Sequence, residues 1–286
     1  MAQCFCFKLE IMNDFCLFEA GGTKTNVLVS EEGEIKKYSL AGFNPNRERE
    51  PFTQALATIG EQLRNKEVFF YGAGQASKQN SDFTKQLLEK YGTKKVEVHS
   101  DLIGAARALF GDDSGVFGIM GTGGITGYYN GVQMSSRRGG HGFLVDDLGG
   151  GFDLGQGFLK LWLDGDLETE IEHQLENSLG KTKEDFIDEL YQTKNLKLIA
   201  DMAIEVKKYE MYAPVQQLIQ FKMNAFVQLN VLPICDAINS KEFSAVGSIA
   251  YFFESQLERA LIANKLLLRK VIHRPIDRLF EYHQNQ

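Results

Sequence analysis

Apolar and polar positions along the first part of the chain predict strands interleaved with helices. Short runs of β-branched and aromatic residues predict strands at residues 15–18, 26–30, 67–71 and 96–98. Apolar residues at helical spacing predict helices at residues 52–64, 82–91 and 102–109. Strands that alternate with helices are typical of an α/β layer structure.

A second α/β segment is predicted after the turn formed by Gly111, Asp112 and Asp113. The elements predicted beyond this turn are strands at 116–120, 127–130 and 243–246, and helices over 168–230, 248–263 and 276–282. We therefore predict an N-terminal domain at residues 1–113, completed by a C-terminal helix at about 266–286, and a C-terminal domain at residues 114–265. Two domains of this size leave a cleft for a ligand.

Composition and charge narrow the class of protein. The chain has 286 residues with 43% hydrophobic content, which suits two medium domains better than one large one. Its formal net charge is -7, and its basic residues are scattered, so the attraction to phosphate backbones that drives nucleic-acid binding is missing. Nucleic acid is therefore an unexpected partner.

The four cysteines, Cys4, Cys6, Cys16 and Cys235, form no CxxC pair. This spacing argues against a zinc site, an iron–sulfur cluster and a disulfide framework, and it favours a reducing compartment.

The apolar stretch at residues 4–7 is too short for a signal peptide or a membrane span, so we expect a cytoplasmic protein without a membrane partner. Residues 1–11 precede the first predicted strand, and we hypothesise that they are an added start.

A glycine-rich loop joins the first two predicted strands. It consists of Glu19, Ala20, Gly21, Gly22, Thr23, Lys24 and Thr25. A Rossmann or Walker loop must open a helix, whereas this loop returns as a strand. Its backbone N–H groups and threonine hydroxyls are suited to holding a phosphate, and an ordinary hairpin turn explains the same residues.

A similar loop follows the first strand of the second predicted domain. Gly121, Thr122, Gly123 and Gly124 stand between the strands predicted at 116–120 and 127–130. A plain hairpin again explains one such loop. Two hydroxyl-bearing glycine loops, each after the first strand of its own α/β half, favour a paired phosphate clamp.

Other candidate residues follow predicted strands. Asp101 stands where a strand meets a helix, so it either complements the helix dipole or accepts a proton from a substrate hydroxyl. The run at 139–151 contains Asp146 and Asp147, suited to sugar hydroxyls or hydrated Mg²⁺, and is otherwise a flexible loop. Gly247 and Ser248 stand where a predicted buried strand ends and a helix begins. They form either a nucleotide-binding turn or an ordinary capped helix start.

These motifs, in this order, resemble the family of N-acetylglucosamine kinases and BadF/BadG-type ATPases, within the superfamily of sugar kinases, Hsp70 and actin. The resemblance runs from about Phe15 to His283 and is strongest at residues 70–74, 101–111 and 246–250. It implies two ribonuclease-H-like domains of the actin-like ATPase type, with an interdomain cleft. It also implies ATP and Mg²⁺ as cofactors, a small sugar substrate and a possible homodimer.

The resemblance assigns roles residue by residue. Asp101 takes the place of the catalytic base, and Glu19 that of the carboxylate that holds Mg²⁺ through water. The implied substrate-binding residues are Asn44, Gly74, Gly140 and Asp147. The implied nucleotide-binding residues are Gly21, Gly22, Thr23, Lys24, Thr25, Gly121, Thr122, Gly123, Gly124, Gly247 and Ser248.

The sequence departs from the family pattern at three positions. Glu19 replaces an Asp, Gly124 replaces a Ser, and Leu148 replaces a Glu. The leading hypothesis is ATP-dependent phosphorylation of N-acetylglucosamine or a related N-acetylhexosamine. These departures motivate an alternative, a degenerate member that binds nucleotide or sugar with little turnover. A dehydratase-activating ATPase is disfavoured, because none of the cysteines has surroundings suited to an iron–sulfur cluster.

Overall fold

The computed structural model describes residues 14–286. The hypothesised added start at residues 1–11, with Cys4 and Cys6, lies outside the described residues. The chain divides into two compact units. The first runs to Ala108 and is completed by Pro275–Gln286, and the second is Leu109–Arg274. Within residues 14–286, no helix is both long and apolar enough to cross a membrane.

The first unit contains a five-stranded sheet in the order β3-β2-β1-β4-β5. Its strands are β1 (Phe15–Ala20), β2 (Lys24–Glu31), β3 (Glu34–Ala41), β4 (Glu67–Gly72) and β5 (Lys95–Ser100). Its helices are α1 (Glu50–Ala57), α2 (Lys78–Glu89), α3 (Asp101–Phe110, whose last turn enters the second unit) and α12 (Ile276–Gln284). Strands β1, β2 and β3 form an antiparallel meander, whereas β4 and β5 run parallel to β1.

Strand alternation sends side chains to two different layers in this unit. Cys16 and Phe18 of β1 join the core that includes Phe52 of α1 and Leu88 of α2. The neighbouring Phe15 faces the other way and contacts Phe280 of α12, with ring centroids 4.9 Å apart. Because successive strand residues point to opposite faces, a nearly continuous apolar run is required when both faces are covered.

The second unit repeats the strand order, as β10-β9-β6-β7-β8. Its strands are β6 (Gly115–Met120), β7 (Gly124–Tyr129), β8 (Met134–Gly139), β9 (Glu242–Val246) and β10 (Leu267–Ile272). Its helices are α4 (Gly151–Asp164), α5 (Thr169–Leu179), α6 (Lys183–Thr193), α7 (Lys197–Lys208), α8 (Ala213–Phe226), α9 (Leu232–Ala237), α10 (Ser248–Phe252) and α11 (Glu254–Ala263). A π-helical segment, Val227–Val231, joins α8 to α9.

Most predicted elements are confirmed, and the differences fall in one helix and in three edge strands. The helix predicted over 52–64 ends at Ala57, and a 3₁₀ turn, Gly60–Leu63, follows it. The strands that the sequence pattern did not predict are β3, β8 and β10, and each lies at the edge of its sheet. Edge strands carry polar side chains, so their periodic apolar signal is weak. The last helix begins at Ile276, as the prediction at 276–282 expects, and the earlier part of the segment at about 266–286 holds β10, Leu267–Ile272.

Candidate active site

The first glycine loop is a hairpin, as predicted. It joins the antiparallel strands β1 and β2, and the Gly21 N–H donates to the Lys24 carbonyl over 2.9 Å. Gly22, Thr23 and Lys24 are exposed at its tip. Thr25 is fully buried in β2 and its hydroxyl has no partner, so among the loop's two threonines Thr23 presents its hydroxyl to the surface.

The segment after β3 packs against this loop. Gly42 N–H donates to the Thr23 carbonyl over 3.2 Å, and Phe43 N–H donates to the Gly21 carbonyl over 3.0 Å. A Cβ atom on Gly42 would lie 2.5 Å from the Gly22 carbonyl carbon and oxygen, so only glycine allows this approach. The loop and the residue that follows Phe43, Asn44, are therefore held side by side.

The candidate residues of the first unit follow the carboxyl ends of neighbouring parallel strands. Ala20 of β1 pairs with Gly72 of β4, which pairs with Ser100 of β5. Adjacent strands are about 4.8 Å apart, so Asp101 begins about 10 Å from the glycine loop along the sheet edge. Ligands bind at this edge in open α/β sheets.

Asn44 and Gly74 are brought together at this edge. Gly74 has a φ of 77°, and a Cβ atom there would lie 2.4 Å from the Asn44 Oδ1 atom. Asn44 Oδ1 accepts from the Asn46 N–H over 3.0 Å, and Asn80 Nδ2 donates to the Gly74 carbonyl over 2.7 Å. These asparagines form a polar network that fixes the loop after β4.

Asp101 is the first residue of α3 and follows β5 without a linker. Its Oδ1 atom accepts from the Leu102 N–H over 2.9 Å. Burial raises the pKa of the Asp101 carboxyl, and that backbone hydrogen bond partly opposes the rise. A carboxylate with a raised pKa is a better proton acceptor, as a general base requires.

Glu19 lies in β1 and its carboxylate is held by a side chain of β2. Its Oε2 atom accepts from Asn26 Nδ2 over 2.8 Å, and the loop residue Gly21 follows two positions later. Over residues 14–286 no cluster of three or more His, Cys, Asp or Glu side chains could hold a metal ion. Mg²⁺ commonly takes one or two carboxylates, phosphates and several waters, so a lone half-buried carboxylate fits it.

The second glycine loop is enclosed by the segment at 147–152. Gly151 N–H donates to the Gly121 carbonyl over 2.7 Å, and Phe152 N–H donates to the Thr122 carbonyl over 2.9 Å. The Gly124 N–H hydrogen-bonds to Asp147, and burial raises the pKa of this carboxyl despite that bond. Asp147 is thereby placed against the loop.

Gly124 is explained by close packing rather than by an unusual backbone angle. None of the loop's glycines, from Gly121 to Gly124, has a positive φ. A Cβ atom on Gly124 would lie 1.9 Å from the Leu148 carbonyl oxygen, and one on Gly123 would lie 2.4 Å from Asp147 Oδ1. The Ser of the family pattern has no room at position 124 in this chain.

Gly247 and Ser248 lie beside the second loop. Gly247 has a φ of 120°, and its added Cβ atom would lie 2.4 Å from the Met120 carbonyl oxygen. Its N–H donates to the Ile272 carbonyl over 2.9 Å. Ser248 is the first residue of α10, and the N-cap position is taken by Gly247, which has no side chain to cap the helix.

Residues 140–150 of the run at 139–151 form a loop between β8 and α4. Gly140 has a φ of 69° and packs against the Ile125 side chain. His141 N–H donates to the Asp146 carbonyl over 3.2 Å. Asp146 and Asp147 therefore precede α4 by a short turn, and no strand leads directly into that helix.

Two features of this unit gave no recognisable sequence signal. Tyr251 and His273 stack with ring centroids 4.7 Å apart, and Tyr251 is 48% exposed. His273 directly follows β10, and Gly121 directly follows β6. Strand β9 lies between these two strands, so the aromatic pair and Gly121 lie at the same edge of the sheet. The other feature is a cavity of about 470 Å³ that includes Asn230, a residue in the π-helical segment.

The thiols described by the structure are unsuited to chemistry. Cys16 and Cys235 are buried and unbonded. Burial raises the pKa of Cys16 to about 12 and that of Cys235 to about 11. Such thiols remain protonated near neutral pH, so they are poor nucleophiles.

The two sheets and their glycine loops define an α/β protein with the fold of actin-like ATPases and sugar kinases. The fold class expected from the sequence is confirmed. No protein-family model matches the chain, and no curated protein matches it either.

Solved structures supply the specific likenesses. A candidate N-acetylglucosamine kinase from Porphyromonas gingivalis is 25% identical with a TM-score of 0.86, covering 95% of this chain and 99% of that one. A second candidate N-acetylglucosamine kinase, from Chromobacterium violaceum, is 14% identical with a TM-score of 0.71, and the match covers 95% of this chain and 99% of that one. A glucokinase from Balamuthia mandrillaris, solved with glucose, is 11% identical with a TM-score of 0.58, and the match covers 98% of this chain and 94% of that one.

Proposed function

We propose that this protein is an ATP-dependent kinase of an amino sugar, with N-acetylglucosamine or a related N-acetylhexosamine as substrate. The observation that carries the proposal is Asp101, a half-buried carboxylate with a raised pKa at the same sheet edge as the first glycine loop. Asn44 and Gly74 stand at that edge and suit sugar hydroxyls. The likeness to two candidate N-acetylglucosamine kinases supports the substrate class.

Asp101 acts as the proton acceptor in this proposal. The acceptor hydroxyl of the sugar gives its proton to the Asp101 carboxylate while its oxygen bonds to the terminal phosphorus of ATP, and ADP leaves. The N-terminus of α3 favours the ionised carboxylate before the reaction. Burial acts in the opposite direction and raises the pKa of this carboxyl, so the carboxylate accepts a proton more readily than an exposed aspartate does.

The two glycine loops bind the phosphates in this proposal. Thr23 and Thr122 are exposed at the two tips, and their hydroxyl groups donate hydrogen bonds to the phosphates. Glu19 would hold Mg²⁺ through water, and the ion would neutralise phosphate charge. Gly247 keeps the chain close to Gly121, which leaves the Tyr251–His273 pair for the nucleotide base.

A second candidate function is binding without efficient turnover. Leu148 replaces a carboxylate of the family pattern, and its carbonyl fills the space where a side chain at position 124 would stand. A lost charge-assisted hydrogen bond costs about 1.5–3 kcal/mol, or one to two orders of magnitude in rate when it acts in the transition state.

An ADP-release assay on a panel of hexoses and N-acetylhexosamines tests the proposal. We expect turnover that is highest on an N-acetylhexosamine and that requires Asp101, with Asp101→Asn as the reference. Turnover no higher than that of the Asp101→Asn variant on every sugar would refute the kinase. Calorimetric binding of ATP or sugar in that case would favour the second candidate.

A further inference from the structure

A cavity of about 470 Å³ lies within the second unit, between β8, the loop at 140–150, α4 and the π-helical segment. Asp147 forms part of its wall, and the same carboxyl also receives the Gly124 N–H. The cavity therefore begins at Asp147, the residue of this unit that the family resemblance assigns to the substrate. The other residues that line the cavity have no role in the proposed function.

The cavity is far larger than an acetyl group. A water molecule takes about 30 Å³ of liquid volume, so the space equals that of roughly fifteen waters. Cavities of this order hold ring-sized ligands. If the substrate were only a monosaccharide with an acetyl group, most of this space would stay filled with water.

The walls combine an aromatic ring with hydrogen-bonding side chains. Phe143 is 42% exposed and packs against Phe152, with ring centroids 5.4 Å apart. Arg138, Asp146 and Gln156 supply polar groups. A sugar ring has an apolar face and a rim of hydroxyl groups, so it matches such a surface better than a purely apolar ligand does.

Asn230 is an unsatisfied polar group in this wall. Its side chain is 3% exposed, and its Nδ2 atom has no hydrogen-bond partner. That atom and Asp146 Oδ2 lie 2.7 and 3.3 Å from the position of a Cβ atom on Gly139, so both stand at one corner of the cavity. A buried donor without a partner is unfavourable, and an acceptor supplied by a ligand would relieve it.

The π-helical turn explains how Asn230 reaches this place. Residues Val227–Val231 depart from α-helical spacing, and the Leu229 carbonyl accepts from Arg138 Nε over 2.9 Å. π-Helical segments inside longer helices are frequent at functional sites. The irregular turn thus ties the π-helical segment to β8 across the cavity.

Charge decides which substituent the cavity accepts. Lys222 Nζ lies 2.5 Å from Asp153 Oδ1, so this buried pair is neutral as a whole. Asp146 and Asp147 then outnumber Arg138 among the charged groups of the wall. An anionic substituent is disfavoured there, and a neutral one with hydroxyl or amide groups is favoured.

We propose that this cavity is a subsite for a neutral second sugar residue, so that the preferred acceptor is a disaccharide of an amino sugar. The inference rests on the proposed kinase function for its location beside Asp147. Asn230 donates to an oxygen of the second ring after a small side-chain adjustment, Asp146 accepts from its hydroxyls, and Phe143 covers its apolar face.

The test compares two acceptors, N-acetylglucosamine and its β-linked disaccharide, N,N′-diacetylchitobiose. We expect kcat/KM to be about ten-fold higher for the disaccharide. Gln156→Trp fills the cavity from the exposed face of α4, and it should abolish that preference through KM. Asn230→Ala should lower the preference in the same direction, whereas Gln217→Ala, an exposed glutamine on α8, should not change it.

Each outcome separates the subsite from the kinase function. Turnover with no preference for the disaccharide, or with a preference that Gln156→Trp leaves intact, overturns the subsite and leaves the kinase. If the wild-type protein phosphorylates neither sugar, the sugar panel decides the kinase proposal, and calorimetry of the disaccharide decides the subsite alone. Binding that Gln156→Trp removes supports it, and no binding overturns it.

Discussion

The two units share a strand order but carry different chemistry at the same positions. In each sheet the first strand ends in a glycine loop, at Gly21 in one unit and at Gly121 in the other. In each the fourth strand is followed by a glycine with positive φ, Gly74 or Gly247. The residue after the fifth strand is Asp101 in the first unit and His273 in the second.

This comparison separates what the topology provides from what individual residues provide. Parallel strand ends offer a loop-lined edge in both units, and that geometry alone suits ligand binding. An acid at the fifth strand makes one edge suited to proton transfer, and an aromatic pair makes the other suited to a flat ring. If the division is correct, variants in the two units should fail in different ways.

The largest expected effect is that of Asp101→Asn. An amide cannot accept the hydroxyl proton, so we expect kcat to fall by about 10²–10⁴-fold with little change in ATP binding. The matched control is Asp113→Asn, an exposed carboxylate in the turn after α3. An equal loss in the two variants would contradict the role of Asp101.

The same residue predicts a pH profile. Burial raises the pKa of Asp101 above the ordinary value, so kcat/KM should fall with decreasing pH at a higher pH than an ordinary aspartate would give. Rate measurements between pH 4.5 and 8 check this expectation. An acidic limb at the ordinary aspartate value would argue against a buried base.

The next effect concerns His283, which belongs to the first unit through α12. Burial and the nearby Arg107 guanidinium lower the pKa of His283 from 6.5 to about 4, and Tyr71 shares a 2.8 Å hydrogen bond with its Nε2 atom. Below pH 6.5 the unfolded chain therefore binds a proton that the folded chain does not. Stability should fall as the pH drops from 6.5 towards 4.

Urea unfolding at pH 7.5 and pH 5 measures this effect. We expect His283 to account for a loss of about 2 kcal/mol in the free energy of unfolding between these pH values. His283→Gln should remove that part of the dependence. His173→Gln changes an exposed histidine on α5, so it should leave the dependence as in the wild type.

A smaller effect is expected at Gly124 in the second unit. Gly124→Ser restores the family residue, but its Cβ atom would stand 1.9 Å from the Leu148 carbonyl oxygen. We expect a loss of about 1–3 kcal/mol in stability and no gain in kcat. Gly121→Ser is the control for stability, because a Cβ atom there meets nothing within 4 Å. A stable and faster Gly124→Ser variant would contradict the packing explanation.

The smallest effect is that of Tyr251→Ala on nucleotide affinity. Loss of a stacking ring costs about 1 kcal/mol at an exposed site, so KM for ATP should rise about five-fold, whereas inhibition by inorganic tripolyphosphate should not change. Tyr191→Ala removes an exposed tyrosine of α6 and should have no effect. Equal KM values for wild type and Tyr251→Ala would place the base elsewhere.

The sequence predicted the inner strands and missed three of the four edge strands, β3, β8 and β10. Strands β1, β4 and β6 are bordered on both sides and consist of apolar runs, so their pattern is strong. Strand β8 consists of Met134–Gly139 with mainly exposed polar side chains, and nothing in its pattern distinguishes it from a loop. Its position became evident only from its pairing with β7.

The candidate site shows the same division between local and distant information. The sequence by itself determined the glycine loops and the strand-to-helix junction at Asp101, because turns and helix starts depend on neighbouring residues. Only the tertiary structure decided that Thr25 is buried, that Gly124 abuts Leu148, and that Asn230 reaches a cavity beside Asp146. Those facts depend on atoms far apart along the chain, and packing in three dimensions brings them together.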